Sequence, residues 1–366
     1  MKIGLFMMPL HTPKLSYNEM YKQDVEAALF AEELNYDEFW IGEHTTTKVE
    51  PVSNALQFLS CLAPQTSRIK LCTGVVNLPH HHPARVAADA AMLDHLCDGR
   101  LILGIGPGGL ASDFELFGTT DKNRQEMMTE SADLIRAIWE GDAPFDLKGK
   151  HWSVKAIDTY QPDMTIGLLP KPLQNPFPNF CTSAMSPYSG TAKLAGSRGW
   201  NLISANFNAP WIVRSQWAAF ETGAKEAGRK ADPTNWRVAR SILVTETDQE
   251  ARDYLATPDN AIRSYYNYLF TQLSRAGAIK IFMMKPDTQP EEITLEKVLD
   301  AMVIVGTART VTEKLASFRD EVGPFGGLLC TFHEWDQKQM WKSSMRRMIN
   351  EVLPAINRHT PKHAVA

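Results

Sequence analysis

Glu43 and His44 form an adjacent carboxylate–imidazole pair directly after a short apolar run of the chain. An imidazole exchanges a proton near neutral pH, and a neighbouring carboxylate can orient it or hold its charge. Trp40 and Ile41 precede the pair and indicate an apolar wall, which would shift the pKa of His44. The pair therefore indicates an acid–base site. The alternative is a structural histidine that only completes a hydrogen bond.

Further polar groups follow other apolar runs of the sequence, and the beginnings of those runs carry little polarity. These groups are Asn77 with His80-His81-His82, Gly104–Gly109, Ser186–Gly190, Asn206, Glu246 and His333-Glu334. In a parallel barrel the carboxyl ends of all strands lie at one face, where the active site is built. The pattern therefore predicts one functional face.

Alternating apolar runs and amphipathic segments supply the elements that would position these groups. The predicted strands are Lys2–Met8, Asp37–Ile41, Arg68–Val76, Leu101–Gly106, Phe177–Ala184, Asn201–Ala205, Trp236–Thr245 and Gly326–Phe332. Capping boxes at Ser16–Glu19 and Thr310–Glu313, with Asp248 as a further cap, predict helix starts. Eight strands alternating with helices favour an α/β fold, a single TIM (β/α)8 barrel domain over residues 1–366.

Two segments exceed a minimal barrel and are predicted to be insertions. Residues 141–176 are rich in proline and glycine, and residues 257–296 are rich in aromatic side chains and methionine. The second insertion could be a lid over an apolar substrate, or its apolar side chains could only pack against each other.

Composition limits the class of protein. The formal net charge of −4 and the absence of long runs of like charge argue against nucleic-acid binding. The sequence contains neither an apolar stretch long enough to span a membrane nor a recognisable signal peptide. The 5 cysteines are scattered in apolar surroundings and are expected to be reduced core residues. We therefore expect a cytoplasmic protein without a membrane partner.

Three local motifs have competing interpretations. At most two of the adjacent histidines at 80–82 could share a metal ion, so no metal is expected. Gly104–Gly109 has the form of a dinucleotide fingerprint but lies on the fourth strand, and its glycines fit a flat ligand or a tight turn better. Ser186–Gly190 precedes a helix and suits a phosphate, with ordinary capping by Ser189 as the alternative.

Taken together and in order, five motifs resemble the bacterial luciferase-like, flavin-dependent monooxygenases. They are Trp40-Ile-Gly-Glu-His44, Gly74-Val-Val-Asn-Leu-Pro-His-His-His-Pro83, Asp98-Gly-Arg-Leu-Ile-Leu-Gly-Ile-Gly106, Asp113-Phe-Glu-Leu-Phe-Gly118, and Val305-Gly-Thr307 before Val311-Thr-Glu-Lys314. Within that family the chain is similar to the diketocamphane-type Baeyer–Villiger monooxygenases. Gly106 stands where light-emitting members carry a cysteine, which implies no bioluminescence and more room beside the flavin.

The resemblance implies a barrel that holds FMN, reduced by a separate NAD(P)H-dependent reductase, and reacts with O2 through a flavin peroxide. The substrate would be small and mostly apolar, and the outcome Baeyer–Villiger insertion, epoxidation or hydroxylation. Family habit implies a homodimer. Two alternatives stay open, a deazaflavin-dependent dehydrogenase or reductase on the same barrel and a non-catalytic flavin-binding subunit of a heterodimer.

The resemblance also assigns residues to roles. His44 would be the catalytic histidine, with Glu43 as a supporting hydrogen-bond partner, and a cis peptide bond is implied at Gly74–Val75. The cofactor-binding residues would be Thr73, Gly74, Val75, Asn77, Gly106, Met185, Ser186, Tyr188, Ser189 and Gly190. The substrate-binding residues would be Met8, Met283, Met284, His333 and Glu334.

Overall fold

A computed structural model describes residues 1–359 of the chain, so the last seven residues of the predicted domain lie outside the described part. These residues form two compact units. The larger unit comprises Met1–Phe39 and the described residues from Thr182 onward, and the smaller unit comprises Trp40–Cys181.

The strands are short and mostly buried along their whole length, as expected of parallel strands covered on both faces. They are β1 (Lys2–Met7), β2 (Glu38–Ile41), β3 (Lys70–Thr73), β4 (Val76–Asn77), β5 (Leu101–Gly106), β6 (Phe145–Lys148), β7 (Ser153–Ala156), β8 (Phe180–Ala184), β9 (Asn201–Ser204), β10 (Trp236–Val244), β11 (Val303–Gly306) and β12 (Gly327–Phe332).

Helices follow most strands, which gives the alternation that the sequence predicted. They are α1 (Tyr17–Glu33), α2 (Ala55–Leu62), α3 (Pro83–Leu96), α4 (Ala111–Leu116), α5 (Arg124–Glu140), α6 (Gly190–Arg198), α7 (Pro210–Glu226), α8 (Asp248–Ala256), α9 (Ala261–Arg275), α10 (Leu295–Met302), α11 (Ala308–Val322), α12 (Lys338–Arg347) and α13 (Leu353–Arg358).

The hydrogen-bonded strand order is β11-β10-β12-β1-β2-β3-β5-β8-β9, and β9 also pairs with β10. β4 pairs with β5, and β6 and β7 form a separate antiparallel hairpin inside the first predicted insertion. The eight predicted strands all occur, and the α/β fold of a (β/α)8 barrel is confirmed.

The hairpin strands β6 and β7 and one strand of the main sheet were not predicted. β11 pairs in parallel with the second half of β10, from Ser241 to Val244, whereas the first half of β10 pairs with β12 and β9. Four apolar residues between two helices carry too little periodicity to be recognised as a strand.

The third predicted strand is interrupted. The prediction of one strand over residues 68–76 was wrong because the ladder breaks between β3 and β4, at the Gly74–Val75 peptide bond. That bond is cis, as the family resemblance implied.

The helix starts were predicted with mixed success. Ser16 and Glu19 form the predicted capping box of α1. The box at Thr310–Glu313 was wrong, because β11 ends at Gly306 and Thr307 caps α11 three residues earlier.

Asp248 was also wrong as the cap of α8, which is capped by Thr247. The Asp248 carboxylate instead accepts hydrogen bonds from the Thr307 backbone N–H at 2.8 Å and the Thr310 hydroxyl at 3.0 Å. It thereby satisfies donors at the start of α11.

The cysteine prediction held for four of the five residues. Cys72, Cys97, Cys181 and Cys330 are buried, but Cys61 is exposed. Cys61 lies on α2 between the buried Leu59 and Leu62, so its position in the helix turns it outward.

Candidate active site

Glu43 is a buried carboxylate just after β2, and it gathers hydrogen-bond donors from two later segments of the smaller unit. Its Oε2 accepts from the Ala55 backbone N–H at 3.0 Å, and its Oε1 accepts from the Asn77 backbone N–H at 2.9 Å. His81 donates through Nε2 to Oε1 at 2.9 Å, and the Asn77 side-chain amide donates to the Glu43 carbonyl at 3.0 Å. Glu43 therefore fixes the start of α2 and the β4 strand.

His44 is partly buried, with 22% of its side chain exposed, and its partner is Asp113 rather than Glu43. The distance between His44 Nδ1 and Asp113 Oδ2 is 3.2 Å. The backbone N–H of His44 donates to the Val52 carbonyl at 2.9 Å. The ring is thus held at one nitrogen, which leaves Nε2 as the atom that can exchange a proton with a bound molecule.

Asp113 is almost completely buried, at 1% exposure, and it is saturated with donors. Besides His44, the backbone N–H of Thr45 donates at 3.2 Å, and Thr46 donates through its N–H at 2.9 Å and its hydroxyl at 2.6 Å. Such charge-assisted bonds stabilise the ionised carboxylate. Asp113 is therefore a fixed anion beside His44.

The pKa of His44 is raised and the pKa of Asp113 is lowered relative to the ordinary values of these side chains. Burial alone would lower the pKa of His44, but the hydrogen bond with Asp113 and the charges of Glu50, Asp113 and Glu43 outweigh it and raise the pKa above 6.5. Burial would raise the pKa of Asp113, but the bonds from His44 and Thr46 lower it to about 2. The geometry thus stabilises the charged form of His44.

The sequence interpretation did not assign Asp113 a role, although the residue begins one of the quoted family motifs. Asp113 lies on α4, a six-residue helix that was not predicted, and 69 positions from His44. The helix α4, which follows β5 in the chain, carries this carboxylate and places it next to the end of β2.

The three adjacent histidines have three different environments. His81 binds Glu43, His80 stacks on Phe117 with ring centroids 4.7 Å apart, and His82 caps α3 by accepting from the Ala84 N–H at 3.3 Å. Among residues 1–359, no group of three or more histidine, cysteine or acidic side chains is arranged to hold a metal ion.

The predicted ring-binding residues of the smaller unit lie around the β3–β5 contact. The Thr73 hydroxyl donates to the Gly104 carbonyl at 2.7 Å. A Cβ atom at Gly104 would lie 1.8 Å from the Thr73 carbonyl oxygen, so glycine is required there for the two backbones to approach.

Gly106 has a close neighbour that the sequence did not reveal. A Cβ atom at this position would lie 2.4 Å from Val75 Cγ2. The expectation of extra room beside Gly106 was therefore wrong in the side-chain direction, because the Val75 side chain fills it.

The predicted phosphate segment of the larger unit is an exposed loop before α6. Met185, Ser186, Tyr188 and Gly190 are exposed, whereas Ser189 is buried and caps α6 by accepting from the Ala192 N–H at 3.3 Å. Tyr188 has a positive φ of 48°.

Three buried side chains hold this loop from behind. Asn208 donates to the Met185 carbonyl at 2.8 Å, Gln216 donates to the Ser186 carbonyl at 3.3 Å, and the Ser215 hydroxyl accepts from the Tyr188 N–H at 3.0 Å. The loop conformation is therefore determined from α7 and the segment before it. None of these three residues was predicted.

The predicted substrate residues of the larger unit fall into separate groups. His333 and Met8 are in contact, because His333 Nδ1 donates to the Met8 carbonyl at 2.8 Å. Glu334 accepts from the Thr12 N–H at 2.9 Å. Met283 and Met284 lie in the second insertion, where the Trp211 indole donates to the Met283 carbonyl at 3.0 Å.

The structure is a (β/α)8 barrel in which His44, close after β2, pairs with Asp113. The chain belongs to the luciferase-like monooxygenase family, whose model matches residues 1–323. It is accordingly a flavin-dependent monooxygenase.

Several relatives are similar over nearly the whole chain. Limonene 1,2-monooxygenase of Rhodococcus erythropolis is 30% identical, covering 97% of this chain and 86% of the relative. The 4-hydroxyprotoasukamycin monooxygenase of Streptomyces nodosus subsp. asukaensis is 29% identical, with coverages of 97% and 92%.

A solved structure of a monooxygenase is also similar to this chain over nearly its whole length. The oxygenating constituent of 3,6-diketocamphane monooxygenase from Pseudomonas putida, a type II Baeyer–Villiger monooxygenase in complex with FMN, superposes with a TM-score of 0.87. It is 26% identical and covers 97% of this chain and 98% of its own.

Across residues 1–359 we find no helix with the length and apolarity needed to cross a bilayer.

Proposed function

We propose that the chain is the oxygenase component of a two-component system. It would use O2 and FMN that a separate NAD(P)H-dependent reductase has reduced, and it would oxygenate a small, mostly apolar substrate. The favoured outcome is Baeyer–Villiger insertion next to a ketone carbonyl, or epoxidation or hydroxylation of a terpene-like compound. The relative bound to FMN is described as an oxygenating constituent, which supports a separate source of reduced flavin.

The residues present fit a flavin mononucleotide. In the smaller unit, Gly74 and Gly106 carry no side chain, and the apolar Val75 side chain lies against Gly106, which suits the face of a flat ring. In the larger unit, Ser186–Gly190 precedes the N-terminus of α6, where a Cβ at Gly190 would meet no atom within 4 Å. Free N–H groups at a helix start suit a phosphate dianion. When bound, reduced FMN would supply the electrons that activate O2.

His44 would donate the proton that the reacting oxygen takes up. Asp113 binds Nδ1 and stabilises the charged ring, whose Nε2–H can donate to an oxygen that develops negative charge. Glu43 would act indirectly, by fixing Asn77 and the β4 strand. The His44–Asp113 pair is the observation that carries the proposal.

The test supplies purified protein with photochemically reduced FMN, O2 and a panel of cyclic ketones, alkenes and aldehydes. We expect one labelled oxygen atom from 18O2 in the product. His44→Ala should reduce product by about 10²–10⁴-fold, while flavin oxidation continues and hydrogen peroxide accumulates. Unfolding of His44→Ala would instead assign His44 a structural role.

Two controls address the reductase and the cofactor. NADH with FMN should give no product until a flavin reductase is added, and direct NADH oxidation by the chain would contradict the two-component proposal. Reduced FMN should bind more tightly than reduced deazaflavin under anaerobic conditions. Tighter deazaflavin binding with hydride transfer in the absence of O2 would refute oxygenase function.

A further inference from the structure

Asn208 is a completely buried amide, at 0% exposure, in the segment between β9 and α7. Its nitrogen carries two hydrogens and lies 2.8 Å from the Met185 carbonyl oxygen and 3.5 Å from the Ile281 carbonyl oxygen. Its oxygen accepts a hydrogen bond from the Gln216 amide at 3.0 Å, which fixes the orientation of the group. One buried side chain therefore contacts two segments that are distant in sequence, the loop before α6 and the second insertion.

The second insertion is attached next to Asn208 by two further contacts. The Trp211 indole N–H, in the first turn of α7, donates to the Met283 carbonyl at 3.0 Å. The Phe282 ring is fully buried and packs against Phe207, with ring centroids 6.0 Å apart. The insertion is thus held on both sides of Asn208, by the residue before it and by the helix after it.

The loop before α6 is held by the same helix. Gln216 donates to the Ser186 carbonyl at 3.3 Å, and the Tyr188 N–H donates to the Ser215 hydroxyl at 3.0 Å. Gln216 and Ser215 are both buried on α7. Side chains in a close-packed interior cannot move independently of one another. A ligand that fixes the loop should therefore also restrict the insertion.

We propose that Asn208 and Trp211 are positioning residues that couple these two segments, so that binding of the flavin phosphate at residues 185–190 fixes the insertion around Met283. The inference rests on the proposed function and deepens it, because Met283 and Met284 are expected to bind the substrate. Coupling between two binding sites is reciprocal. An apolar substrate held by the insertion should therefore strengthen the binding of FMN in turn.

Hydrogen exchange of backbone amides measures this coupling without catalysis. The Ile281 N–H donates to the Ala278 carbonyl at 3.1 Å. The Met283 N–H donates to the Lys280 carbonyl at 3.2 Å, so both amides exchange when the segment opens. The Tyr188 N–H reports on the loop in the same way. The ligands are reduced FMN and reduced riboflavin, which differ only in the phosphate and are added anaerobically at saturating concentration.

In the wild type, reduced FMN should slow the exchange of the Tyr188 and Met283 amides by about 5-fold or more, and reduced riboflavin should slow it much less. Trp211→Phe keeps an aromatic ring and removes the indole donor, so the response should persist at Tyr188 and be lost at Met283. Asn208→Leu should lose the Met283 response and also weaken FMN binding, because it removes contacts to both segments. Ser215→Ala is the matched control. Its hydroxyl bonds to the loop, so FMN affinity should fall while the Met283 response at saturation stays.

The possible results separate the coupling from the proposed function. A Met283 response that is equally large with riboflavin, or that is unchanged in both Trp211→Phe and Asn208→Leu, would overturn the coupling. FMN binding without any Met283 response in the wild type would also overturn it and leave the proposed function standing. A folded wild-type protein that binds no FMN would refute both together. If Asn208→Leu does not fold, Trp211→Phe decides alone, because the Trp211 side chain is only half-buried.

Discussion

Replacing Asp113 by asparagine tests whether the carboxylate controls the charge of His44. The substitution keeps the size of the side chain and removes its negative charge. The pKa of Asp113 is about 2 instead of 3.8, which corresponds to about 2 kcal/mol of stabilisation of the charged form. Since the folded-state pKa is lowered, this stability is present above pH 3.8 and is lost as the pH falls towards 2. We expect Asp113→Asn to lower the free energy of unfolding at pH 7 by about 2 kcal/mol.

Asp113→Asn should also change the pKa of His44, in the direction opposite to the shift that Asp113 now causes. Burial lowers the pKa of His44, and the hydrogen bond with Asp113 is the first of the contributions that raise it. Removing the charge should lower the pKa of His44. For a reaction that requires protonated His44, the pH above which the rate falls should then move to a lower value.

The assay combines three measurements on the same protein. Urea unfolding gives the stability, NMR titration gives the pKa of His44, and the ratio of product to flavin oxidised gives the pH profile of coupling. Thr46→Val is the matched control, because it removes the 2.6 Å donor to Asp113 and keeps the carboxylate. It should cost about 1 kcal/mol and leave most of the His44 shift in place. If Asp113→Asn destabilises the protein while the His44 titration and the pH profile stay unchanged, Asp113 only caps the Thr45–Thr46 backbone and the reasoning is refuted.

Three further substitutions test other parts of the chain. Burial would lower the pKa of His11, but the hydrogen bond with Asp24 and the nearby Glu334 raise it to about 9. The resulting stability is complete below pH 6.5 and is lost as the pH rises through 9. Asp24→Asn should cost about 3 kcal/mol at pH 7 by urea unfolding and reduce that alkaline loss. Gly106→Cys should cost about 1–3 kcal/mol because of the 2.4 Å approach to Val75 Cγ2, and Val75→Ala should recover most of it in a double-mutant cycle. Glu38→Gln breaks a buried ion pair with N···O distances of 2.8 and 3.0 Å and should cost about 3–5 kcal/mol without changing the pH profile of coupling.

The sequence predicted the eight barrel strands because each is a short apolar run bounded by turn residues, and such a pattern is local. It missed β11 and α4, of 4 and 6 residues, because elements this short carry no reliable periodicity. It also placed the start of α11 three residues late, since the capping role of Thr307 depends on where β11 ends and on Asp248, 59 positions away.

For the candidate site, the sequence supplied residue identities but not partners. The adjacency of Glu43 and His44 suggested that they act on each other, yet each binds a different segment, Glu43 to the Asn77–His81 region and His44 to Asp113. Neighbours at a strand end point in different directions, so adjacency in sequence does not imply contact. The pairing is determined by the order of strands and helices, which a motif does not contain.

His44 and His333 show how the pKa of the same side chain is shifted in opposite directions by different partners. Both follow strands, and burial lowers the pKa of both. His44 has an ionised carboxylate at Nδ1, which raises its pKa above 6.5, whereas His333 has only a neutral carbonyl at Nδ1 and its pKa falls to about 4. One ring is therefore suited to donate a proton and the other to accept a hydrogen bond. Exchanging the partner, by Asp113→Asn, should make the titration of His44 approach that of His333, which the sequence of either residue alone could not indicate.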